Sequence, residues 1–187
     1  MKRQSGRRSL LPAVALAALL AVVLQAPPSW AAGDALLQDV PLFTISKSQN
    51  KNQVQFAVRL DGQCAPLGEE PVFAYWRMLE KSPVAIESLL PIEQPAYGIK
   101  VQVVTSRGAM DGNVELRLRA LPDRRIVVRS YRAREGCGAR AEIAIEGAPA
   151  NLYNVHAMLR WPFGIARIYV SGWSVEDLRV VRETVCS

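Results

Sequence analysis

The chain has 187 residues, of which 50% are hydrophobic and 21% are charged, a composition that excludes a disordered chain and is typical of a folded domain. Its formal net charge is +6, from 23 basic and 17 acidic residues. Four of the basic residues fall within the first eight positions, which leaves 19 against 17 for the rest of the chain. A nearly neutral domain gives no electrostatic reason for nucleic-acid binding, and we expect none.

The first 31 residues have the order of a secretory signal peptide. Basic residues stand at the start, namely Lys2, Arg3, Arg7 and Arg8. An apolar run from Leu10 to Leu24 follows, and the small residues Ser29 and Ala31 then mark a cleavage site. The apolar run is shorter than the about 20 residues that span a bilayer. We therefore expect cleavage after Ala31 rather than a membrane anchor.

The signal peptide predicts that the protein is exported from the cytoplasm. We predict a periplasmic or secreted protein in which residues 32–187 form one domain without a transmembrane segment. The paired arginines at positions 7 and 8 leave the twin-arginine route and the general secretory route both open.

Downstream of the leader, apolar residues alternate with polar ones, most clearly over 53–60, 113–119 and 138–146. A period of two places the apolar side chains on one face of a half-buried strand. Turn signals such as the Asp-Gly pairs at 61–62 and 111–112 separate these runs and leave little room for crossover helices. The sequence predicts an all-β fold, an antiparallel meander of about eight strands closed like a barrel, with a β-sandwich as the alternative.

The C-terminal tail is ambiguous between helix and strand. Val175, Leu178 and Val181 stand at helical spacing, and Ser174 could cap such a helix. The β-branched residues within 180–185 favour a strand instead. We predict a last strand here.

Three cysteines are available for pairing in an oxidising compartment. Cys64 follows a turn and Cys137 lies between two glycines, whereas Cys186 is one residue from the C-terminus, where chains are commonly frayed. We predict a disulfide between Cys64 and Cys137. A Cys137–Cys186 bond and the absence of any disulfide are the alternatives.

The most unusual polar segment is 47–52, which reads Lys-Ser-Gln-Asn-Lys-Asn. The candidate ligand-binding side chains in it are Lys47, Ser48, Asn50 and Asn52, whose donors could converge on an anionic or carbohydrate ligand. The alternative is a solvated hairpin loop, in which asparagines bond their own backbone. A lysine beside a serine also occurs in nucleophile pairs, but neighbouring side chains of an extended chain point apart.

Tyr75 and Arg77 are the second candidate for ligand binding. Neighbours on a strand face opposite ways, so Trp76 turned inward would be a core anchor while Tyr75 and Arg77 share the other face. Arg77 would then lie on the surface beside Tyr75 or, if the face lines a barrel, oppose an acidic ligand.

No combination of residues indicates catalysis or metal binding. His156 is the only histidine, and a strand over 152–161 places it on one face with Leu152, Asn154 and Met158. We interpret it as a structural, hydrogen-bonded side chain. We expect no cofactor and no metal, and we assign no catalytic residue.

A basic stretch extends over two adjacent predicted strands. Its members are Arg117, Arg119, Arg124, Arg125, Arg129, Arg132 and Arg134. On a solvent face they could form a positive patch for anionic headgroups or an acidic polymer. The alternative is ordinary sheet surface paired with Glu115, Asp123 and Glu142.

Four segments resemble a family of exported bacterial domains known only as a domain of unknown function. They are 42–54 with its Lys-Ser-x-Asn-x-Asn sequence, 71–77 with Ala-Tyr-Trp-Arg, 95–98 and 160–164. The resemblance implies an envelope or secreted location and supplies no activity, substrate or site residue. We interpret the domain as a non-catalytic binding or interaction module whose partner is an unknown envelope component or small ligand. A small-molecule or lipid carrier in a β-barrel is the alternative, because an eight-stranded barrel can hold one small ligand, and a hydrolase is a third hypothesis.

Overall fold

The structure, a computed structural model, describes residues 37–107, 112–160 and 164–185. The described residues fall in the unit Asp34–Ser187. The predicted signal peptide, Asp111 of the second turn signal, Trp161 of the last resembling segment and Cys186 lie outside the described residues.

Within these ranges the chain is almost entirely strand, which confirms the all-β prediction. The strands are β1 (Gln38–Lys47), β2 (Gln53–Leu60), β3 (Val72–Arg77), β4 (Ile86–Ser88), β5 (Ile99–Ser106), β6 (Asn113–Leu118), β7 (Ile126–Ala133), β8 (Gly136–Ile145), β9 (Ala148–Arg160), β10 (Gly164–Ser174) and β11 (Val180–Val185). A 3-10 turn (Pro91–Glu93) and the short helix α1 (Gln94–Tyr97) separate β4 from β5.

All eleven strands belong to one sheet, in which β9 holds the central position. The order is β4-β3-β2-β1-β9-β8-β7-β6-β5, with β10 paired to β9 and β11 paired to β10. One edge of β9 pairs with β8 over 148–151 and then, in parallel, with β1 over 154–157. Its other edge pairs with β10.

The prediction of a closed antiparallel meander of about eight strands is therefore wrong. The sheet has eleven strands, is mixed through the parallel β1–β9 pair, and is not closed into a barrel. Alternation in sequence reveals which face of a strand is buried, but closure depends on the tilt and stagger of all strands together. The observed sheet is consistent with the β-sandwich alternative.

A single hydrophobic core joins the two ends of the sheet. It contains Val54, Phe56 and Val58 of β2 together with Val114, Leu116 and Leu118 of β6, all between 0% and 1% exposed. Strands so far apart in the sheet share one core because the sheet folds over on itself. Burial of these apolar side chains is the main source of stability.

The side chain of Gln102 links β5, at one end of the sheet, to β3 near the other end, although these two strands do not pair. The amide of Gln102 on β5 accepts a hydrogen bond from the backbone N–H of Val72 on β3 at 3.1 Å, and it donates one to the carbonyl of Val72 at 3.0 Å. The Gln102 amide thus takes the place of a neighbouring strand for one residue of β3.

The predicted disulfide is present. Cys64, in the loop after β2, is bonded to Cys137 near the start of β8, with the two Cα atoms 5.2 Å apart. The bond joins positions that are 73 residues apart and lies at the end of β1 and β2 where Gln38 pairs with Leu60. Gln38 also accepts a hydrogen bond from the backbone N–H of Cys137.

The tail forms the predicted last strand, β11, which pairs with β10. Val181 and Val185 pack against the core from it. The helix signal has a local explanation, because Ser174 Oγ accepts hydrogen bonds from the backbone N–H groups of Glu176 and Asp177 in the turn before the strand.

Candidate functional site

Strands β1–β3 and β9–β11 present two different surfaces because their side chains alternate between the two faces of the sheet. Toward the core lie apolar residues such as Ile45, Val54, Val155 and Val170. Toward the other side lie polar residues that are cross-strand neighbours. We call the two rows of these residues the polar face: Tyr75, Gln55, Thr44, Asn154, Ser171 and Arg182 in the first row, and Arg77, Gln53, Ser46, His156, Tyr169 and Thr184 in the second.

On the core-facing side, where β1 and β3 end, there is a groove of about 440 Å³. We call it the tryptophan groove, and it is lined by Lys47, Asn52, Trp76, Met78, Glu87, Ser88, Leu90 and Glu93. Most of its surface is apolar. β4 and the 3-10 turn supply the wall opposite β1.

Trp76 forms the floor of the groove and is only 7% exposed. Its indole Nε1–H donates to Oε2 of Glu93 at 2.9 Å, and the backbone N–H of Leu90 donates to the same oxygen at 2.8 Å. The ring of Tyr97 meets the indole edge-on at 5.2 Å. Burial, with the nearby charge of Glu93, raises the pKa of Tyr97. The indole is thus fixed by a hydrogen bond and by packing.

Lys47 supplies a cation at this groove. Its Nζ lies 5.1 Å from the centre of the Trp76 ring, within the range of a cation–π interaction. Among the described residues no carboxylate forms an ion pair with Lys47. Glu87 is paired with Lys81, and Glu93 accepts the two hydrogen bonds already described. The ammonium group is therefore available to a ligand.

The structure divides the predicted site residues between the two surfaces. Lys47 and Asn52 line the tryptophan groove, whereas Tyr75 and Arg77 lie on the polar face. The Oδ1 of Asn50 accepts the backbone N–H of Asn52 at 3.2 Å, so Asn50 serves the turn. The six candidates therefore do not form one site.

The polar face is connected by its own hydrogen bonds. Thr44 and Ser46 both donate to Oδ1 of Asn154, at 3.0 and 3.1 Å. The hydroxyl of Ser46 also lies 2.9 Å from Nδ1 of His156, whose ring stacks on Tyr169 at 6.4 Å. These side chains fix one another's positions without any ion pair.

A hollow of about 310 Å³ opens on this face. It is lined by Ser48, Asn154, His156, Met158, Tyr169, Ser171 and Arg182. Ser48, the remaining predicted candidate, therefore belongs beside the polar face. Arg182 reaches the hollow from β11 and donates from Nε to Oγ of Ser171 at 3.2 Å.

The predicted neighbours of His156 need one correction. Asn154 and Met158 share its face, but Leu152 is 3% exposed and belongs to the core. The pairing of β9 with β10 shifts register between Ser171 and Gly172, so an extra residue of β9 is accommodated there. Such a bulge reverses the alternation on its two sides.

Three of the seven members of the arginine-rich stretch are paired with acidic residues. Arg125 is paired with Glu115, Arg129 with Glu142, and Arg124 with Glu183. Burial opposes ionisation of Glu142, but hydrogen bonds from Arg129 and Arg140 outweigh it and lower the pKa of this carboxyl. These three pairs are typical of ordinary sheet surface, while Arg117 and Arg132 donate to the backbone carbonyls of Pro122 and Gly62.

The sequence analysis missed most of the residues that form each surface. Glu93 and Leu90 follow a three-residue strand that has no alternation to reveal it. Polar residues at alternate positions of β1, β2, β9 and β10 can be recognised in the sequence. The sequence does not show that these residues lie next to one another across the strands. Within the described ranges, no group of three His, Cys, Asp or Glu side chains could hold a metal ion, and no helix has the length and apolar character of a membrane span.

The fold and its surfaces define a disulfide-bonded, all-β domain built on one mixed sheet. Residues 43–184 match the family model described as a domain of unknown function, DUF4833, so the chain belongs to this family. The match extends from β1 to β11 and confirms the predicted resemblance to a family of unknown function. Comparisons with curated proteins and with solved structures gave no match. The family description names no activity, and the function of the chain is unknown.

Proposed function

We propose that the protein is an exported, non-catalytic binding domain whose tryptophan groove takes a small ligand with an apolar body and an anionic group. The observation that carries this proposal is the ammonium of Lys47, which lies above Trp76 and has no carboxylate partner among the described residues. The apolar body of the ligand would pack on Trp76, Met78 and Leu90. Its anionic group would then meet Lys47.

The size and lining of the groove support a small-molecule site. Such sites typically have volumes of about 300–1,000 Å³ and mostly apolar walls with a few polar groups that fix orientation. The groove has about 440 Å³, with Asn52 and Ser88 as neutral polar groups. Oε2 of Glu93 accepts hydrogen bonds from Trp76 and Leu90, which fix this wall of the groove, and Lys47 supplies its available cation.

Export is supported by two independent features. The leader has a basic start, an apolar run and a small-residue cleavage site. The Cys64–Cys137 disulfide is typical of oxidising compartments such as the periplasm or the cell exterior. Intact mass of the protein from its native host should correspond to a chain that begins near Ala32, and a mass that includes the leader would contradict export by cleavage.

A carrier with its ligand inside a barrel has less support. The sheet is open, and the space between its two ends is filled by large side chains such as Phe43, Phe56 and Leu116, none more than 1% exposed. A small ligand of this protein would therefore occupy the surface groove.

The hydrolase alternative would depend on Ser46 and His156. Their 2.9 Å contact has the reach of a nucleophile and a base. Such a base is normally oriented by a third group, and in the described part of the chain no carboxylate contacts this imidazole. We take the pair as part of the polar network.

Fluorescence titration with 8-anilinonaphthalene-1-sulfonate tests the groove, because this probe combines an aromatic body with a sulfonate. Replacement of Lys47 by Met keeps the apolar stem and removes the charge, and it should weaken probe binding about tenfold, as for loss of a charged hydrogen bond. Lys51→Met removes the same charge from the exposed loop nearby and should leave binding unchanged.

The uncharged analogue N-phenyl-1-naphthylamine sharpens the test. Its affinity should be equal for the wild type and the Lys47→Met variant, because it has no anionic group. Equal sulfonate binding by the two lysine variants would contradict the assignment of Lys47.

A further inference from the structure

We propose that the polar face binds an acidic polysaccharide, that is, a polymer of sugar units with carboxylates at intervals. This surface lies on the opposite side of β1–β3 from the tryptophan groove, so the inference does not depend on the groove. It depends on which side chains the sheet brings into register and on how their charges are distributed.

The two rows contain few charges, and those are unpaired. Arg77 and Arg182 are the guanidinium groups of the rows, and the remaining members are amides, hydroxyls, phenols and one imidazole. Among the described residues no carboxylate pairs with either arginine. Within the described ranges, Arg182 donates only to Ser171. Both cations keep most of their donors for a partner.

The positions of these cations match an extended ligand. Arg77 lies on β3 and Arg182 lies on β11, with β2, β1, β9 and β10 between them. Five steps of about 4.8 Å between strands separate them by about 24 Å. A polymer that crosses the strands would meet a guanidinium at each end and neutral hydrogen-bonding groups along the way. Guanidinium groups bind carboxylates in a bidentate manner.

The middle of the face is arranged to receive a polyhydroxylated ligand. Gln55 and Ser171 are 6% and 2% exposed and form a firm floor, with the Gln55 amide donating to the backbone carbonyls of Phe43 on β1 and of Phe56 on its own strand. The rings of Tyr75 and Tyr169 provide apolar surfaces against which sugar rings can pack. The hollow of about 310 Å³ beside His156 gives room for one unit of the polymer.

The sparse charge favours a polysaccharide over a nucleic acid. A nucleic-acid strand has one phosphate per nucleotide, and its binding sites follow that backbone with a series of basic groups. Two guanidinium groups about 24 Å apart would leave the intervening phosphates without partners. A polymer with many hydroxyls and fewer carboxylates matches the neutral middle of the face.

Binding of hyaluronan, which has one carboxylate per disaccharide, to the processed full-length protein, measured by biolayer interferometry, tests the proposal. The wild type should bind hyaluronan, and the Arg77→Gln/Arg182→Gln double variant should bind at least tenfold more weakly. The control is Arg134→Gln, which removes one exposed arginine from the β7–β8 turn, away from the polar face, and should leave binding unchanged. Dextran, polyglutamate and oligo(dT) are the comparison polymers.

Each outcome decides the proposal. Weak or absent binding of the three comparison polymers, together with the loss in the double variant, supports it. No binding of hyaluronan overturns it, as does equal binding of oligo(dT) or polyglutamate, which would indicate general attraction of anions. An equal loss in Arg134→Gln also overturns it. Circular dichroism of each variant excludes misfolding, and Asn154→Ala, which removes a neutral contact, should weaken binding without any change in charge.

Discussion

The tryptophan groove and the polar face are formed by adjacent residues of the same strands, yet they are stabilised differently. On β3, Trp76 points into the core while Tyr75 and Arg77 point away from it. The groove borders the hydrophobic core, and Glu93 in its wall accepts hydrogen bonds from Trp76 and Leu90. The polar face is held by hydrogen bonds between neutral side chains. The comparison predicts that changes of the core-facing residues of the groove cost more stability than changes of the partly exposed residues of the polar face.

Replacement of Trp76 by alanine is the largest expected effect. It removes a nearly buried indole and leaves the carboxylate of Glu93 without its indole donor, so the free energy of unfolding should fall by about 3–5 kcal/mol. Tyr75→Ala, one residue away on the polar face, should cost less than about 1 kcal/mol. Urea denaturation followed by circular dichroism measures both. Equal losses would mean that the two surfaces are not stabilised differently.

Removal of the disulfide is the next largest effect and should spare both surfaces. Cys64 and Cys137 lie at the end of β1 and β2 that is remote from Lys47 and the groove. The double variant Cys64→Ser/Cys137→Ser should lose about 2–4 kcal/mol of stability, chiefly because the unfolded chain is no longer constrained. Binding of the sulfonate probe at low temperature should not change. Weaker binding in the folded variant would show that the disulfide shapes the groove.

The smallest expected effect concerns the pH dependence of stability. It should depend on Glu183 of β11 and not on the neighbouring Arg182. The hydrogen bond from the backbone N–H of Glu146 is the main reason that the pKa of Glu183 is lowered; burial opposes it, and the guanidinium of Arg124 lowers the pKa further. A lowered pKa in the folded state stabilises the protein above the usual carboxyl pKa, and this stabilisation is lost as the pH falls through the folded value.

Stability of the wild type should therefore fall on acidification from pH 5 to pH 3, and Glu183→Gln should reduce the steepness of that fall. Arg182→Gln, on the polar face, should leave the slope unchanged. Thermal melting across this pH range measures all three proteins. An unchanged slope in Glu183→Gln would place the acid-sensitive group elsewhere.

Local alternation predicted the strands well because burial of one face is decided residue by residue. Over 53–60 the apolar positions Val54, Phe56, Val58 and Leu60 are all fully buried. The same reasoning predicted that Trp76 and Tyr75 face opposite ways. It could not predict the open sheet, because closure depends on contacts between strands that are far apart in sequence.

The candidate site shows the same limit. Lys47 and Asn52 were found because their segment is unusually polar, but the groove wall comes from a short strand and turn without a pattern. The polar face needs β1 beside β9, and the Thr44–Asn154 hydrogen bond joins residues 110 positions apart. The polar residues are visible in the sequence, but the pairing of the strands determines which of them are neighbours.

The position of β9 has a consequence for biosynthesis. Because β9 pairs with both β1 and β8, a nascent chain that has not yet reached residue 148 exposes two unpaired strand edges at once. Such edges promote association with other chains. We therefore expect the edges of β1 and β8 to be paired only after β9 has been synthesised.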